Sequence, residues 1–228
     1  MPAMGSYRQY CPVAMASELL GERWTVLVVR ELLCGSRRFN DLRRGLPRMS
    51  PSLLVKRLRA LERAGVVSRG RRTNGAEYEL TDAGLELRPI VEAMGHWGER
   101  WVRSDLPKLH LDASLLMWDI RRSLHRDRLP AGRLVVRFSF ADGPPQDRRF
   151  WLIVNDSEAD LCLEDPGGEP DLDVGATVRA LTAVWMGRIT LDHALRDESV
   201  RLFGTAPVRR AFRHWFGVST FAALSRAG

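Results

Sequence analysis

Helix punctuation and positive charge coincide over residues 36–72, and no other stretch restricts the possible folds as much. Ser50 is a good N-cap and Pro51 a good first helical residue, because proline's missing N–H would have had no intrahelical partner there. Leu53, Leu54, Leu58 and Leu61 then share one side of a helix that Ala64-Gly65 ends. Ahead of it, Phe39, Leu42 and Leu46 place a shorter helix. Leu46-Pro47 closes that helix, since the residue before proline disfavours helical geometry. Behind it, residues 66–68 and 77–80 read as two short strands, and Thr73-Asn74-Gly75 supplies the positive-φ turn of a hairpin. Helix, turn, helix and hairpin in this order predict a winged helix.

The flanking segments fit that frame. Pro12 suits the first turn of a helix in which Val13, Ala16, Leu19 and Leu20 recur at helical spacing. After a break at Gly21, Trp24, Leu27, Val28, Leu32 and Leu33 form a second stripe that Gly35 stops. Thr81-Asp82 predicts the cap of one long helix running to about Arg103. Its apolar residues Leu85, Leu87, Ile90, Val91, Met94, Trp97, Trp101 and Val102 cover more than one stripe, so it needs a second surface to bury against. A symmetric homodimer provides one and spaces two reading helices one DNA turn apart. Trp97 and Trp101 are expected in dimer or core packing.

Charge identifies the partner class. Residues 36–72 carry twelve Lys or Arg against two acids, so +10, which exceeds the +7 of the whole chain and leaves −3 elsewhere. One cationic face on a slightly acidic body suits a regular polyanion, and double-stranded DNA is the natural choice. A helix is the right width for the major groove. The residues expected to touch DNA are Ser50, Ser52, Lys56, Arg57 and Arg59 on the reading helix, with Arg38 and Arg48 ahead of it. Arg69, Arg71 and Arg72 on the hairpin complete the set.

Several spaced elements also agree with a known family. Cys11-Pro12, Gly21-Glu22-Arg23-Trp24, Arg38-Phe39-Asn40-Asp41-Leu42, Ser50-Pro51, Leu54, Arg57-Leu58, Leu61 and Gly65 occur in order, followed by Tyr78-Glu79-Leu80-Thr81-Asp82-Ala83-Gly84. This pattern, over roughly residues 8–104, resembles the HxlR-type winged-helix transcriptional regulators, relatives of the MarR group. The resemblance implies a dimeric DNA-binding regulator. It also implies a redox-sensing reading for Cys11, since some members carry a reactive cysteine before the Pro-Val step. A helix N-terminus and nearby Arg8 favour a thiolate there, and simple packing of a small side chain is the alternative.

The chain divides in character near Asp105-Leu106-Pro107. Residues 1–107 hold 18 Lys/Arg against 12 Asp/Glu, and residues 108–228 hold 17 against 16. The second half is therefore not built for a polyanion. It reads as a helix at 115–124, strands at 133–140, 150–154 and 160–163, a helical period over 174–185, a short helix at 191–195, a strand at 200–203 and an amphipathic helix at 208–216. The expected fold class is α+β: a winged helix over 1–107, then a sandwich-like domain over 108–228 with helices above a mainly antiparallel sheet.

In this half Asp173, Val178, Leu181, Val184, Gly187, Ile189-Thr190-Leu191, Ala194-Leu195, Val200, Leu202 and Gly204 precede a closing helix. That spacing is similar to the sterol-carrier-protein type of lipid-binding domain. One departure is Asp197-Glu198-Ser199, where relatives commonly have a glycine. The likeness implies helices on one side of a sheet, enclosing a mainly apolar cavity for an apolar small molecule or fatty acid. Phe138, Phe140, Trp151, Val184, Trp185, Phe212, Trp215 and Phe216 are the candidate lining, with core packing as their other role.

Other classes are disfavoured. No run approaches the roughly 20 apolar residues of a membrane span, and a cytoplasmic location is the expectation. Cys11, Cys34 and Cys162 show no CxxC pairing and the five histidines are scattered, so no metal or cofactor is expected. No GxSxG, HExxH, phosphate-loop or dinucleotide motif points to an enzyme.

Overall fold

A computed structural model describes residues 6–72, 75–102, 111–156 and 158–222. Two compact units divide at residues 95 and 96. The Asp105-Leu106-Pro107 break, the Thr73-Asn74 part of the hairpin turn and the end of the long helix at Arg103 lie outside the described residues.

The first unit opens with α1 (Pro12–Leu20), α2 (Thr25–Leu33), α3 (Phe39–Gly45) and α4 (Pro51–Arg63). The hairpin of β1 (Val67–Arg72) and β2 (Gly75–Leu80) follows. Val28, Val29, Leu42, Leu54, Leu58, Leu61 and Val67 form its core, each at most 2% exposed. Glu31 is fully buried in the same unit, where it pairs with Arg30 and accepts a hydrogen bond from Ser36 Oγ at 3.2 Å. A Cβ on Gly45 would lie 1.8 Å from the Glu31 carboxylate, so glycine is what lets α3 close over that acid. Trp24 caps α2 in the left-handed region, at φ 79°.

The single long helix expected after Thr81 is two helices, α5 (Asp82–Leu85) and α6 (Arg88–Trp101). Pro89 explains the break, because it cannot donate to a carbonyl one turn earlier. Thr81 Oγ1 caps α5 by accepting the Gly84 N–H at 3.2 Å. Along α6, Ile90, Met94, Trp97 and Trp101 recur every three or four residues and are 47–64% exposed.

The second unit holds a five-stranded sheet in the order β5-β4-β3-β6-β7. Its strands are β3 (Arg133–Phe140), β4 (Arg149–Asn155), β5 (Glu158–Cys162), β6 (Leu172–Ala176) and β7 (Val200–Gly204). β3 and β6 run parallel, and the other neighbours are antiparallel. Strand β6, between β3 and the edge strand β7, corrects the helical reading of residues 174–185, in which the helix begins only at Val178. Five residues of alternation, with Leu172 and Val174 inward, run straight into the Thr177 N-cap. Such a short strand leaves little periodicity of its own.

Helices α7 (Ala113–Ser123), α8 (Val178–Trp185), α9 (Leu191–Arg196) and α10 (Ala206–Trp215) share one core with the inward strand residues. The opposite sheet face carries Arg137, which pairs with Asp173; that carboxylate holds the guanidinium still more firmly protonated. Between α9 and β7, Glu198 sits at φ 60°. A full side chain therefore stands in the left-handed region at the Asp197-Glu198-Ser199 turn, where the sequence offers no glycine. Ser199 donates its N–H to Asp197 at 3.0 Å, which steadies the turn and lowers the Asp197 pKa. No helix among the described residues is long and apolar enough to cross a membrane.

Candidate nucleic-acid interface

Helix α4 is built to show one face and bury the other. Ser50 Oγ accepts the Leu53 N–H at 3.3 Å and so caps the helix, as its sequence position predicts. Leu54, Leu58 and Leu61 point into the core. Ser52, Val55, Lys56, Arg59, Glu62 and Arg63 line an open surface groove of about 670 Å³ on the other side. Arg63 Nε donates to the Arg59 carbonyl at 3.3 Å, which lays that side chain along the helix. Arg48 is exposed just ahead of α4.

Arg57 is a correction. Expected on the outward face, it is 8% exposed. Its Nε donates to the Arg23 carbonyl at 2.9 Å, and its terminal nitrogen meets the Glu22 carboxylate at 2.5 Å. It staples α4 to the turn between α1 and α2 and is not offered to a groove. The pattern held a clue, since position 57 is three beyond Leu54 and four before Leu61, on the inward side.

Acids trim the cationic face elsewhere. Arg38, the residue before α3, sits 3.5 Å from Glu77 and forms a β-bridge with it, and Arg37 pairs with Glu79. Reading the charge as a total missed these pairs, because the acids come from the hairpin some forty residues later. Glu62 on the outward face of α4 is a further acid that the charge count does not place there, although its helical spacing does. Arg69 lies over the Tyr78 ring at 5.9 Å, which positions it on the hairpin. Arg71 and Arg72 occupy the end of β1 opposite Ala76 and Gly75.

Cys11 is the N-cap residue of α1, half-buried and a free thiol. The eight residues proposed to line a cavity divide in two. Phe138, Phe140, Val184, Trp185, Phe212, Trp215 and Phe216 belong to the helix-covered core, where Phe212 meets Phe138, Trp215 and Phe216 at ring separations of 6.3, 4.8 and 5.1 Å. Trp151 lies on the opposite face, because it pairs across the sheet with Arg137 and Cys162 rather than alternating with the inward Phe150 and Leu152. Trp185 donates its indole N–H to Ser123 Oγ at 3.0 Å, whereas the buried Trp215 N–H has no hydrogen-bond partner among the described residues. Two depressions on this unit are lined by another set of side chains, rich in arginine, which shares Phe140 with the eight.

The family match falls on the winged-helix part. Residues 19–106 match the family model described as HxlR-like helix-turn-helix. An uncharacterised HTH-type transcriptional regulator of Bacillus subtilis, YvaP, is 38% identical over 98 residues, which is 41% of this chain and 91% of that protein. A Synechocystis regulator of the same description, sll1512, is 37% identical over 98 residues, 42% of this chain and 73% of its own length. Among solved structures, the reduced form of the transcriptional regulator YodB from B. subtilis is 29% identical, covering 42% of this chain and 97% of that one, with a TM-score of 0.37. An identity of 38% across nearly the whole of YvaP, together with the family match, places the chain in the HxlR-like helix-turn-helix family of transcriptional regulators.

Proposed function

We propose that the chain binds duplex DNA as a homodimer and that its second unit senses a small-molecule effector. The observation that carries the DNA part is the outward face of α4, where Ser52, Lys56, Arg59 and Arg63 are exposed on a helix whose other side is core. A helix so oriented enters the major groove with its first turns nearest the base edges, while the hairpin follows the backbone. The α6 stripe of Ile90, Met94, Trp97 and Trp101 supports dimerisation, because a second copy supplies the apolar surface that a row of four large exposed side chains lacks. The sensing part is supported by a unit with its own sheet and core, of the helices-on-one-side kind that the sterol-carrier likeness implies. An effector acts by binding the DNA-competent and incompetent states with different affinity.

The test is fluorescence anisotropy on promoter and random duplexes across a salt series. Each phosphate contact contributes about −0.9 to the log–log slope. Replacing Lys56 and Arg59 together is expected to shrink the ratio of specific to random affinity, because each side chain paired with a base edge is worth about 1–3 kcal/mol of discrimination. An equal weakening on both duplexes assigns these side chains to phosphate instead. Operator binding that responds to diamide and becomes insensitive in Cys11→Ser would put the signal at the thiol rather than in the second unit.

A further inference from the structure

Four strands place one row of residues on the sheet face opposite the helix-covered core. Arg149 pairs with Ser139, Ser139 with Gly175, and Gly175 with Arg201. Two arginines thus stand about 14 Å apart, three strand spacings, across a floor of serine and glycine. Glycine within a strand leaves room for close approach. A Cβ built on Gly175 meets only Phe203 Cε2, at 4.0 Å, so the exposed Phe203 ring borders that floor. This depression measures about 560 Å³ and has Arg148 and Thr177 at its rim.

It continues around β7 into a second groove of about 680 Å³, because Glu198, Arg201 and Phe203 line both. The second groove adds Arg209, Arg210 and Arg213 from α10, with Leu195, Val200 and Leu202 as its apolar part. Six arginines and one acid therefore surround a partly apolar trough. Arg201 is 3.6 Å from Glu198, and Arg213 is 3.2 Å from Asp192. Arg148 Nε is anchored on the Gly143 carbonyl at 2.9 Å. This concentration of charge is absent from the near-neutral total of the C-terminal half.

We infer that this trough is a binding site for an anionic amphiphile, a carboxylate or phosphate on an alkyl or aromatic body. Guanidinium groups pair with such head groups through charge-assisted hydrogen bonds. Phe203, with Leu195 and Leu202 of the second groove, takes the body of the ligand. Glu198, the acid in the lining, weakens the site and competes for Arg201. The inference rests on the reading that the second unit binds a small effector, and it moves the site from the packed interior to the outer sheet face and around the edge strand β7.

Calorimetric titration of the full chain with decanoate, decyl phosphate, decanol and inorganic phosphate tests it. Decanoate or decyl phosphate is expected to bind saturably, and which of the two binds more tightly identifies the head group. Arg149→Gln with Arg201→Gln is expected to weaken that binding about tenfold or more, and Gly175→Leu to abolish it by filling the floor. Glu198→Gln is expected to strengthen it about two- to fivefold. Decanol binding as well as decanoate, untouched by these variants, would overturn the trough while leaving the effector reading in place, with the interior near Trp215 as the site. Binding of none of the four would overturn both. Inorganic phosphate binding as tightly as decyl phosphate would overturn the amphiphile assignment. So would a loss of random-duplex affinity in the arginine variants with no small anion bound, which would make the trough a nucleic-acid surface.

Discussion

Arg57 and Lys56 are neighbours on opposite faces of α4, and replacing each in turn separates fold from the recognition proposed for the outward face. Arg57→Met keeps an unbranched stem of similar helix propensity and removes the guanidinium. With it go a charged hydrogen bond to the Arg23 carbonyl, made at 8% exposure, and an ion pair with Glu22, whose side chain is 57% exposed. A hydrogen bond from a charged donor contributes about 1.5–3 kcal/mol. An ion pair with a half-exposed partner adds about 0–1 kcal/mol, because water screens it. Taken near the middle of these ranges, the variant is expected to destabilise the first unit by about 2–3 kcal/mol. The two units need not unfold together, so the measurement is amide hydrogen exchange of α2 and α4 rather than a single melting temperature. Exchange there should accelerate about 30- to 150-fold. Lys56→Ala, on the exposed face, should move it by less than about 0.5 kcal/mol yet reduce discrimination between duplexes. Unchanged protection in Arg57→Met, with collapsed duplex discrimination, would show that Arg57 reads DNA and that its contacts with Glu22 and Arg23 are incidental.

Other outcomes follow from the same structure. Glu198→Gly should stabilise the second unit by about 1 kcal/mol, because it relieves a left-handed side chain at φ 60°; a lower urea midpoint would mean that contacts of Glu198 outweigh the strain. Met94→Asp with Trp97→Asp should convert a dimer to a monomer in sedimentation and weaken operator binding, and an unchanged sedimentation coefficient would place the interface elsewhere. Gly45→Ala should destabilise the first unit by about 3 kcal/mol or more, since its methyl group would overlap the buried Glu31 carboxylate; an unchanged denaturation midpoint would mean that Glu31 moves aside freely.

The N-terminal elements were legible because proline and glycine mark their ends. Pro12, Gly35, Pro51 and Gly65 each sit within a residue or two of a boundary. The break at Pro89 was as visible in the sequence, yet strong apolar periodicity on both sides masked it. β6 was hidden for a different reason. Its five residues lie between two other strands, and their pairing with β3 depends on a chain segment some thirty-six positions away. The site shows the same division. Outward positions on α4 follow from periodicity, whereas the fate of Arg57 and Arg38 depends on Glu22, Arg23 and Glu77, which only the fold brings near. The arginine trough escaped notice because its members are spread over residues 148–213 and averaged out in a nearly neutral half.

Selection of the full chain against a pool of random duplexes, followed by sequencing, tests the central claim most directly. If two copies each present α4 to successive major grooves, the enriched sequence should be two-fold symmetric, with half-site centres about 10 base pairs apart or a multiple of that. Substituting Lys56 and Arg59 should erase the symmetric motif while residual, salt-sensitive binding remains. Enrichment of a single asymmetric site, or none, would contradict a dimer that reads DNA through this helix.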